Sequence, residues 1–407
     1  MGRTVQQTTN RGGATTFAAP AGESEDVLSL FVFIDALGWE LVRRHPWFLE
    51  GLADTRGPVE TVLGYSCTCD PTILTGVLPR EHGHFSFFRF DPEASPFRGF
   101  GALSLLPTFV RERGRVRHWI SRATGFMKGY SGYFQLYGVP FRWLRHLDYT
   151  ERRDLYEPGG ILGGQPTLFD HLTESGISFH RSDWRRPEKE NLASARAAIE
   201  SQRPRCMYLY LAELDGLMHA QGTGSSAVAA KLASYDRSLR DLVSAAEGTY
   251  SAVHLHVFSD HGMTDVKETV GLRSAVEALG LRFGRDYAAV YDSTMARFWF
   301  PSPDARDSVM ALLESEDRGR ILTDDELAEL GCDFPDRRYG EVIFLLDPGF
   351  VLDPSFMGSW VPAGMHGFHP SHSDSRAAYL CSHPGLALPQ HLTDLLGVML
   401  ADCGVPA

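Results

Sequence analysis

Three apolar runs, each closed by a carboxylate, constrain this chain more than any other feature. Leu28–Ile34 reads L-S-L-F-V-F-I and ends at Asp35. Cys206–Leu211 reads C-M-Y-L-Y-L and leads into E-L-D-G-L-M-H, which carries Asp215 and His219. Val253–Phe258 leads into S-D-H-G-M, with Asp260 and His261. Short apolar runs without polar alternation read as strands buried on both faces, the habit of a parallel sheet. The segments between them have helical character: 167–174, 191–201, and a strongly amphipathic 225–246 carrying Val228, Leu232, Tyr235, Leu239, Leu242 and Val243. Strand and helix alternation of this kind predicts an α/β fold, a mostly parallel sheet sandwiched by helices. Its C-terminal edge, where open α/β sheets place their sites, would then present three carboxylates.

Two further stretches supply chemistry. L-G-Y-S-C-T-C-D-P-T-I-L-T-G holds Ser66 just before Asp70-Pro71, which reads as an N-cap acid followed by proline at the first helical position. A serine on the loop entering a helix meets unpaired backbone N–H groups and the positive end of the dipole. That suits an oxygen nucleophile attacking a phosphate. Late in the chain, G-M-H-G-F-H-P places His366 in a glycine-flanked turn. Carboxylates together with imidazoles suit zinc, a borderline ion that accepts both.

In this order the motifs resemble the alkaline phosphatase superfamily, in particular its type I phosphodiesterase/nucleotide pyrophosphatase branch. The resemblance spans Leu28 to about Pro370, with large insertions. It implies an alkaline phosphatase-like fold and two divalent metal ions, zinc being the expected pair. Asp35, Ser66, Asp260 and His261 would hold one ion, and Asp215, His219 and His366 the other. It also implies Ser66 as catalytic nucleophile and a phosphoseryl intermediate, with cleavage of a phosphodiester or pyrophosphate bond in a nucleotide-like or other organic phosphate. Phosphomonoester hydrolysis or phosphoryl transfer on the same site is the alternative, followed by a sulfatase-like enzyme or a non-catalytic metal- or phosphate-binding protein. His82, in T-G-x-x-P-x-x-H-G, is expected to tie the loop and not to ligate.

The rest of the chain divides as follows. Residues 1–26 are rich in Thr, Gly and Ala, lack an apolar signal-peptide core and are expected to be a disordered tail. Core segments 27–84, 159–269 and 357–407 flank two insertions: an aromatic and basic cap or lid at 85–158, and a small α+β subdomain at 270–356. No internal repeat or coiled coil is present. A net charge of −12 argues against a nucleic-acid polymer as partner and leaves a small-molecule phosphate substrate. No apolar stretch reaches membrane-spanning length, which leaves peripheral membrane contact open. Six cysteines without disulfide-framework spacing fit a cytoplasmic chain.

Two details bear on specificity. Cys69-Asp70-Pro71 superficially resembles the sulfatase modification motif C-x-P-x-R, but Ile73 stands at the arginine's position and the cysteine is out of register. Nucleotide pyrophosphatases usually carry T-F-P-N where this chain has Ser66-Cys67-Thr68-Cys69, so Cys69 replaces an amide donor to phosphate. Thr68 or a cap arginine is expected to supply the lost hydrogen bond. The cap is rich in both aromatics and arginines (Arg111, Arg113, Arg115, Arg117, Arg122, Arg142 and Arg145, with Lys128), which leaves two readings: a helical cap whose aromatics pack on one another and whose arginines are solvated, or a lid over the site whose guanidinium groups pair with phosphate or an anionic membrane surface.

Overall fold

The computed structural model describes residues 26–405 except 108, 110–112, 359 and 385, together with the backbone of Gln7–Thr9 and Thr15–Phe17. Those two short segments pair as an antiparallel ladder, where a disordered tail is expected; β-branched threonines favour the extended state. The rest of the tail lies outside the described residues.

The central sheet is built from β1 (Val27–Ile34), β2 (Thr55–Val59), β3 (Phe179–Arg181), β4 (Cys206–Leu211), β5 (Ala252–Phe258) and β6 (Ala377–Cys381). They lie in the order β2–β6–β5–β1–β4–β3. β1 pairs parallel with β4 and β5, β3 pairs parallel with β4, and β6 runs antiparallel between β5 and β2. The three runs read as strands from the sequence are therefore adjacent at the centre, and their C-terminal ends share one edge.

The near-continuous hydrophobicity of β1 follows from packing on both faces. Leu28, Leu30, Val32 and Ile34 enter one core, with residues of α3 (Glu188–Ser201) and α5 (Ser226–Glu247). Phe31 and Phe33 point the other way, into a second core with Ile73 and Leu74 of α2 (Ser66–Thr75) and Leu395 and Met399 of α6 (Asp394–Asp402). With side chains alternating between faces, a strand covered by helices on both sides leaves little place for polar groups, and its one serine, Ser29, is buried with its hydroxyl donating to the Asp402 carbonyl at 3.2 Å.

Two helices depart from the expected bounds. α1 (Trp39–Arg44) stops short of Leu49, because the residue before Pro46 is kept out of the helical region and His45 takes φ −125°, ψ 64°. α2 begins a full turn before Asp70. Tyr65 is the extended N-cap, its N–H reaching Thr68 Oγ1 at 3.4 Å, and Pro71 sits inside the helix. Proline there removes one intrahelical donor, a cost offset by burial of Ile73 and Leu74. Ser66 is consequently the first residue of the helix and not part of a preceding loop. A further helix, α4 (Glu213–Gln221), carries Asp215 and His219.

The two insertions share a hydrophobic core. Phe88, Phe97, Phe141, Trp143 and Tyr149 of the first pack with Tyr291, Phe298 and Phe344 of the second, on its four-stranded antiparallel sheet. At the junction Arg297 is wholly buried. It donates to Asp292 (2.8 Å), Ser86 Oγ (2.7 Å) and the carbonyls of Phe88 and Tyr339 (3.0 Å each). Trp119, Phe126 and Met127, in contrast, are exposed on the helix Gly114–Lys128. No helix among the described residues is long and apolar enough to cross a membrane.

Candidate active site

All seven residues singled out from the motifs meet at the C-terminal edge of β1, β4 and β5. Ser66 Oγ lies 3.1 Å from His261 Nε2, which lies 2.9 Å from Asp260 Oδ2 and 3.8 Å from Asp35 Oδ1. Asp215 Oδ1 is 3.2 Å from His219 Nε2 and 3.6 Å from His366 Nε2. The rings of His261 and His366 stack at 3.7 Å, so the two groups of residues adjoin. Ligand atoms of Asp215, His219 and His366 lie within 4.8 Å of one another, as do those of Asp35, Asp215 and His261. Asp215 thus stands between the two sets, closer to Asp35 than the division implied by the resemblance.

Local backbone features aim these groups. Asp35 ends β1, and Ala36 then takes φ +61°, a conformation costly for alanine. That turn sends the Ala36 N–H to Asp260 Oδ1 at 3.1 Å. Asp260 Oδ1 also accepts from the His261 N–H at 3.0 Å, which leaves Oδ2 for the site. Asp215 and His219 are four residues apart on α4, hence on one face. In G-M-H-G the last glycine, Gly367, has φ +85°, and a Cβ there would lie 2.6 Å from the Tyr65 ring. Only glycine allows His366 and the α2 N-cap to approach so closely.

The donor set fits divalent cations. His261 Nδ1 bonds the Gly262 carbonyl at 2.9 Å and His219 Nδ1 the Gly364 carbonyl at 2.8 Å. A carbonyl accepts only, so each Nδ1 carries the proton and each Nε2 lone pair faces the carboxylates. Asp35 Oδ1, Asp215 Oδ1 and Asp260 Oδ2 are buried acceptors with no hydrogen-bond partner. Acceptors facing acceptors require a proton or a cation between them. The protein alone answers with protons. Burial, then the Asp260 and Asp215 charges, push the Asp35 carboxyl well above its ordinary range. Burial opposes charge on His261, but Asp260 outweighs it and lifts the imidazole to about 9. Burial and the two neighbouring imidazoles push His366 well down.

Other features were not legible in the motifs. Tyr210, on β4, donates its hydroxyl to Asp35 Oδ2 at 2.7 Å and so leaves Oδ1 as the free oxygen. Tyr65 bonds Thr294 Oγ1 at 2.8 Å, and Thr294 in turn donates to the Gly367 carbonyl at 2.8 Å, tying the α2 N-terminus to the His366 turn. His82 is buried, with Nε2 3.0 Å from Thr72 Oγ1 and Nδ1 accepting the His84 N–H, a loop-tying role.

Two expectations about phosphate donors do not hold. Thr68 is wholly buried and donates to the Phe85 carbonyl at 2.6 Å, while Cys69 lies in the core beneath α2. Both point away from the site because helical geometry turns N3 and N4 inward once the helix starts at Ser66. Nor does any arginine or lysine among the described residues line the cavity of about 500 Å³ above Ser66. Arg117 instead holds carbonyls of its own insertion, at Leu136, Tyr137 and Val139; Arg111 lies outside the described residues. The first insertion does border the cavity, but with aromatic rings and carboxylates. All six cysteines are buried and free, and burial raises the thiols of Cys67 and Cys69 far from reactivity.

Comparison with known proteins supplies independent findings. The family model described as "Type I phosphodiesterase / nucleotide pyrophosphatase" matches residues 29–369. Among solved structures, murine ectonucleotide pyrophosphatase/phosphodiesterase 5 is similar with a TM-score of 0.67 at 16% identity, over 93% of this chain and 96% of that one. An inactive variant of the murine protein in complex with AMP and the human counterpart each give a TM-score of 0.66 at 15% identity, with the same coverage. At that identity the likeness concerns the fold. No curated protein sequence matches the chain.

Proposed function

The chain belongs to the type I phosphodiesterase/nucleotide pyrophosphatase family of the alkaline phosphatase superfamily, and from that premise we propose that it hydrolyses a phosphodiester or pyrophosphate bond through a phosphoseryl intermediate on Ser66. Two divalent ions, zinc the expected pair, would be held by Asp35, Ser66, Asp260 and His261 and by Asp215, His219 and His366. When bound, such ions supply Lewis-acid stabilisation of charge on the attacking and leaving oxygens. The remaining work belongs to the chain. Ser66 Oγ forms the bond to phosphorus as the leaving oxygen departs with the electrons of its own P–O bond; water then opens the phosphoseryl ester and restores the hydroxyl. As the first residue of α2, Ser66 sits among helix-terminal amides without intrahelical acceptors, which favour phosphate charge beside it.

The observation that carries this reading is the nucleophile position: Ser66 Oγ at 3.1 Å from an outward-facing imidazole lone pair, beside orphaned carboxylate oxygens. The cavity favours a diester over a monoester, because its volume accommodates a substituent beyond the transferred phosphoryl group. The relative crystallised with AMP makes nucleotide esters one class to test. The test is turnover of paired nitrophenyl diester and monoester substrates by zinc-loaded protein and by Ser66→Ala. Diester turnover is expected to dominate and to vanish in the variant. A dominant monoester rate would overturn the diesterase reading, and near-normal activity of the variant would overturn the covalent route.

A further inference from the structure

The helix Gly114–Lys128 of the first insertion is built inside out. Its packed face holds Arg117, Ser121, Thr124 and Gly125, none of them apolar beyond a methyl group or the arginine stem. Ser121 Oγ accepts the Leu136 N–H at 3.0 Å, and Arg117 donates to the carbonyls of Leu136, Tyr137 and Val139. Ile120 packs against the core shared by the insertions. The other large apolar side chains lie outside: Trp119 is 69%, Met127 75% and Phe126 89% exposed. A helix that merely covers a globular core has the reverse arrangement. At about 100° per residue, Arg115, Trp119, Arg122 and Phe126 fall in one stripe about 60° wide, opposite the packed face. The stripe therefore alternates guanidinium groups with aromatic rings.

Its charge is as unusual as its shape. From Arg113, the N-cap, to Lys128 the helix contains no aspartate or glutamate. Arg113, Arg115, Arg122 and Lys128 are exposed and make no hydrogen bond or ion pair among the described residues. Surface arginines elsewhere on the chain are answered: Asp236 pairs with Arg240 at 2.8 Å and Asp324 with Arg337 at 2.6 Å. Cations at a helix N-terminus also oppose the dipole, so Arg113 and Arg115 do not serve the helix itself. The whole chain carries a net charge of −12, which an anionic surface would repel. Salt screens that repulsion beyond about 8–10 Å, however, so the face in contact decides.

From this pattern we infer that the helix Gly114–Lys128 docks the protein on an anionic lipid bilayer. The helix lies along the surface, Trp119 and Phe126 enter the boundary between headgroups and acyl chains with Met127 beside them, and Arg115 and Arg122 meet lipid phosphates. Two other occupants fit less well. A second copy of this chain would set arginines against arginines, with no carboxylate on either helix to answer them. A nucleic acid would take the arginines but offer Phe126 and Met127 no apolar surroundings. A bilayer interface supplies anionic phosphate and hydrocarbon within a few ångströms of each other, the spacing that this stripe presents. The inference concerns an outer surface and is independent of the diesterase reading.

The test is sedimentation of the full chain with vesicles of phosphatidylcholine alone and of phosphatidylcholine mixed with phosphatidylglycerol. Binding to the mixed vesicles is expected to be about tenfold tighter or more, and to fall as salt rises from about 0.1 M to about 0.5 M. Arg115→Gln with Arg122→Gln should weaken it by about 25-fold, roughly fivefold for each charge. Phe126→Ser should weaken it while leaving the salt dependence in place. Tryptophan emission should shift to the blue on adding mixed vesicles, and Trp119→Phe should remove that shift while keeping most of the binding. These side chains are exposed, so circular dichroism and thermal melting should match the parent chain in every variant. Equal binding to both vesicle types, no binding to either, or binding untouched by the arginine and Phe126 variants would overturn the inference. A dimer in sedimentation velocity that Phe126→Ser dissolves, or an oligonucleotide bound in preference to mixed vesicles, would assign the face to another occupant and overturn it equally.

Discussion

Removing one oxygen from Tyr210 is the most discriminating perturbation of the proposed metal centre. The Tyr210 hydroxyl donates to Asp35 Oδ2 at 2.7 Å and holds the carboxylate so that Oδ1 faces the His261 side of the site. Phenylalanine keeps the ring and its contact with Phe33, 4.9 Å between centroids, and the backbone N–H still reaches Ser182 Oγ at 2.8 Å. The fold should therefore survive Tyr210→Phe. A hydrogen bond to a charged group contributes roughly 1.5–3 kcal/mol. If that falls on the metal-loaded state, zinc affinity drops by about 10- to 150-fold, which overlaps the roughly 10- to 100-fold typical of such outer partners of metal ligands. Competition with a fluorescent chelator reads the affinity directly, and diester turnover should recover in part as free zinc is raised. Unchanged affinity together with unchanged turnover would refute the assignment of Asp35 as an oriented ligand.

Three further outcomes are expected. His219→Ala should leave secondary structure intact by circular dichroism but lower bound divalent metal below two equivalents by elemental analysis, because Asp215 and His366 alone make an incomplete site. Arg297→Met strands Asp292 in the core shared by the insertions and should cost about 3–5 kcal/mol by urea denaturation, part of which Asp292→Asn in the same chain should return; a loss below about 1 kcal/mol would contradict the role given to this ion pair. At the opposite end of β5, Asp402 lies 2.8 Å from His254 Nδ1 and 3.2 Å from His256 Nε2, while His256 Nδ1 meets the Tyr379 hydroxyl at 2.6 Å. Burial would lower the His256 imidazole, but Cys381 and Asp402 raise it to about 10, and Asp402 itself is held far below its ordinary range against its own burial by His256 and His254. A raised histidine stabilises fully below its unfolded value of about 6.5 and loses that contribution as pH climbs toward 10; the depressed Asp402 stabilises above about 3.9 and loses its contribution in acid. Asp402→Asn should therefore destabilise most between about pH 4 and 6.5 and markedly less near pH 10, with a pH-independent loss as the contrary result.

The amino-acid sequence determined the fold class on its own and pointed to the carboxylates and imidazoles that gather at the candidate site. Both are written in short local patterns: apolar runs long enough to be two-faced strands, and an acid or histidine placed within a few residues of each strand end. A parallel sheet then brings those ends to one edge whatever the loops do, which is why Asp35, Asp215 and Asp260 meet although the chain separates them widely. Where α2 begins was not legible in the same way. Asp70-Pro71 is a sound start signal, but burial of Ile73 and Leu74 and the Tyr65 N-cap outweighed it, moving Ser66 onto the helix and turning Thr68 and Cys69 inward. The cap arginines show the same limit, because a guanidinium can serve a substrate or its own backbone, and Arg117 serves the backbone. Tyr210 behind Asp35 has no sequence signature at all. Its role comes from the neighbouring strand that brings its hydroxyl within hydrogen-bond reach of Asp35, which is a property only of the packed chain.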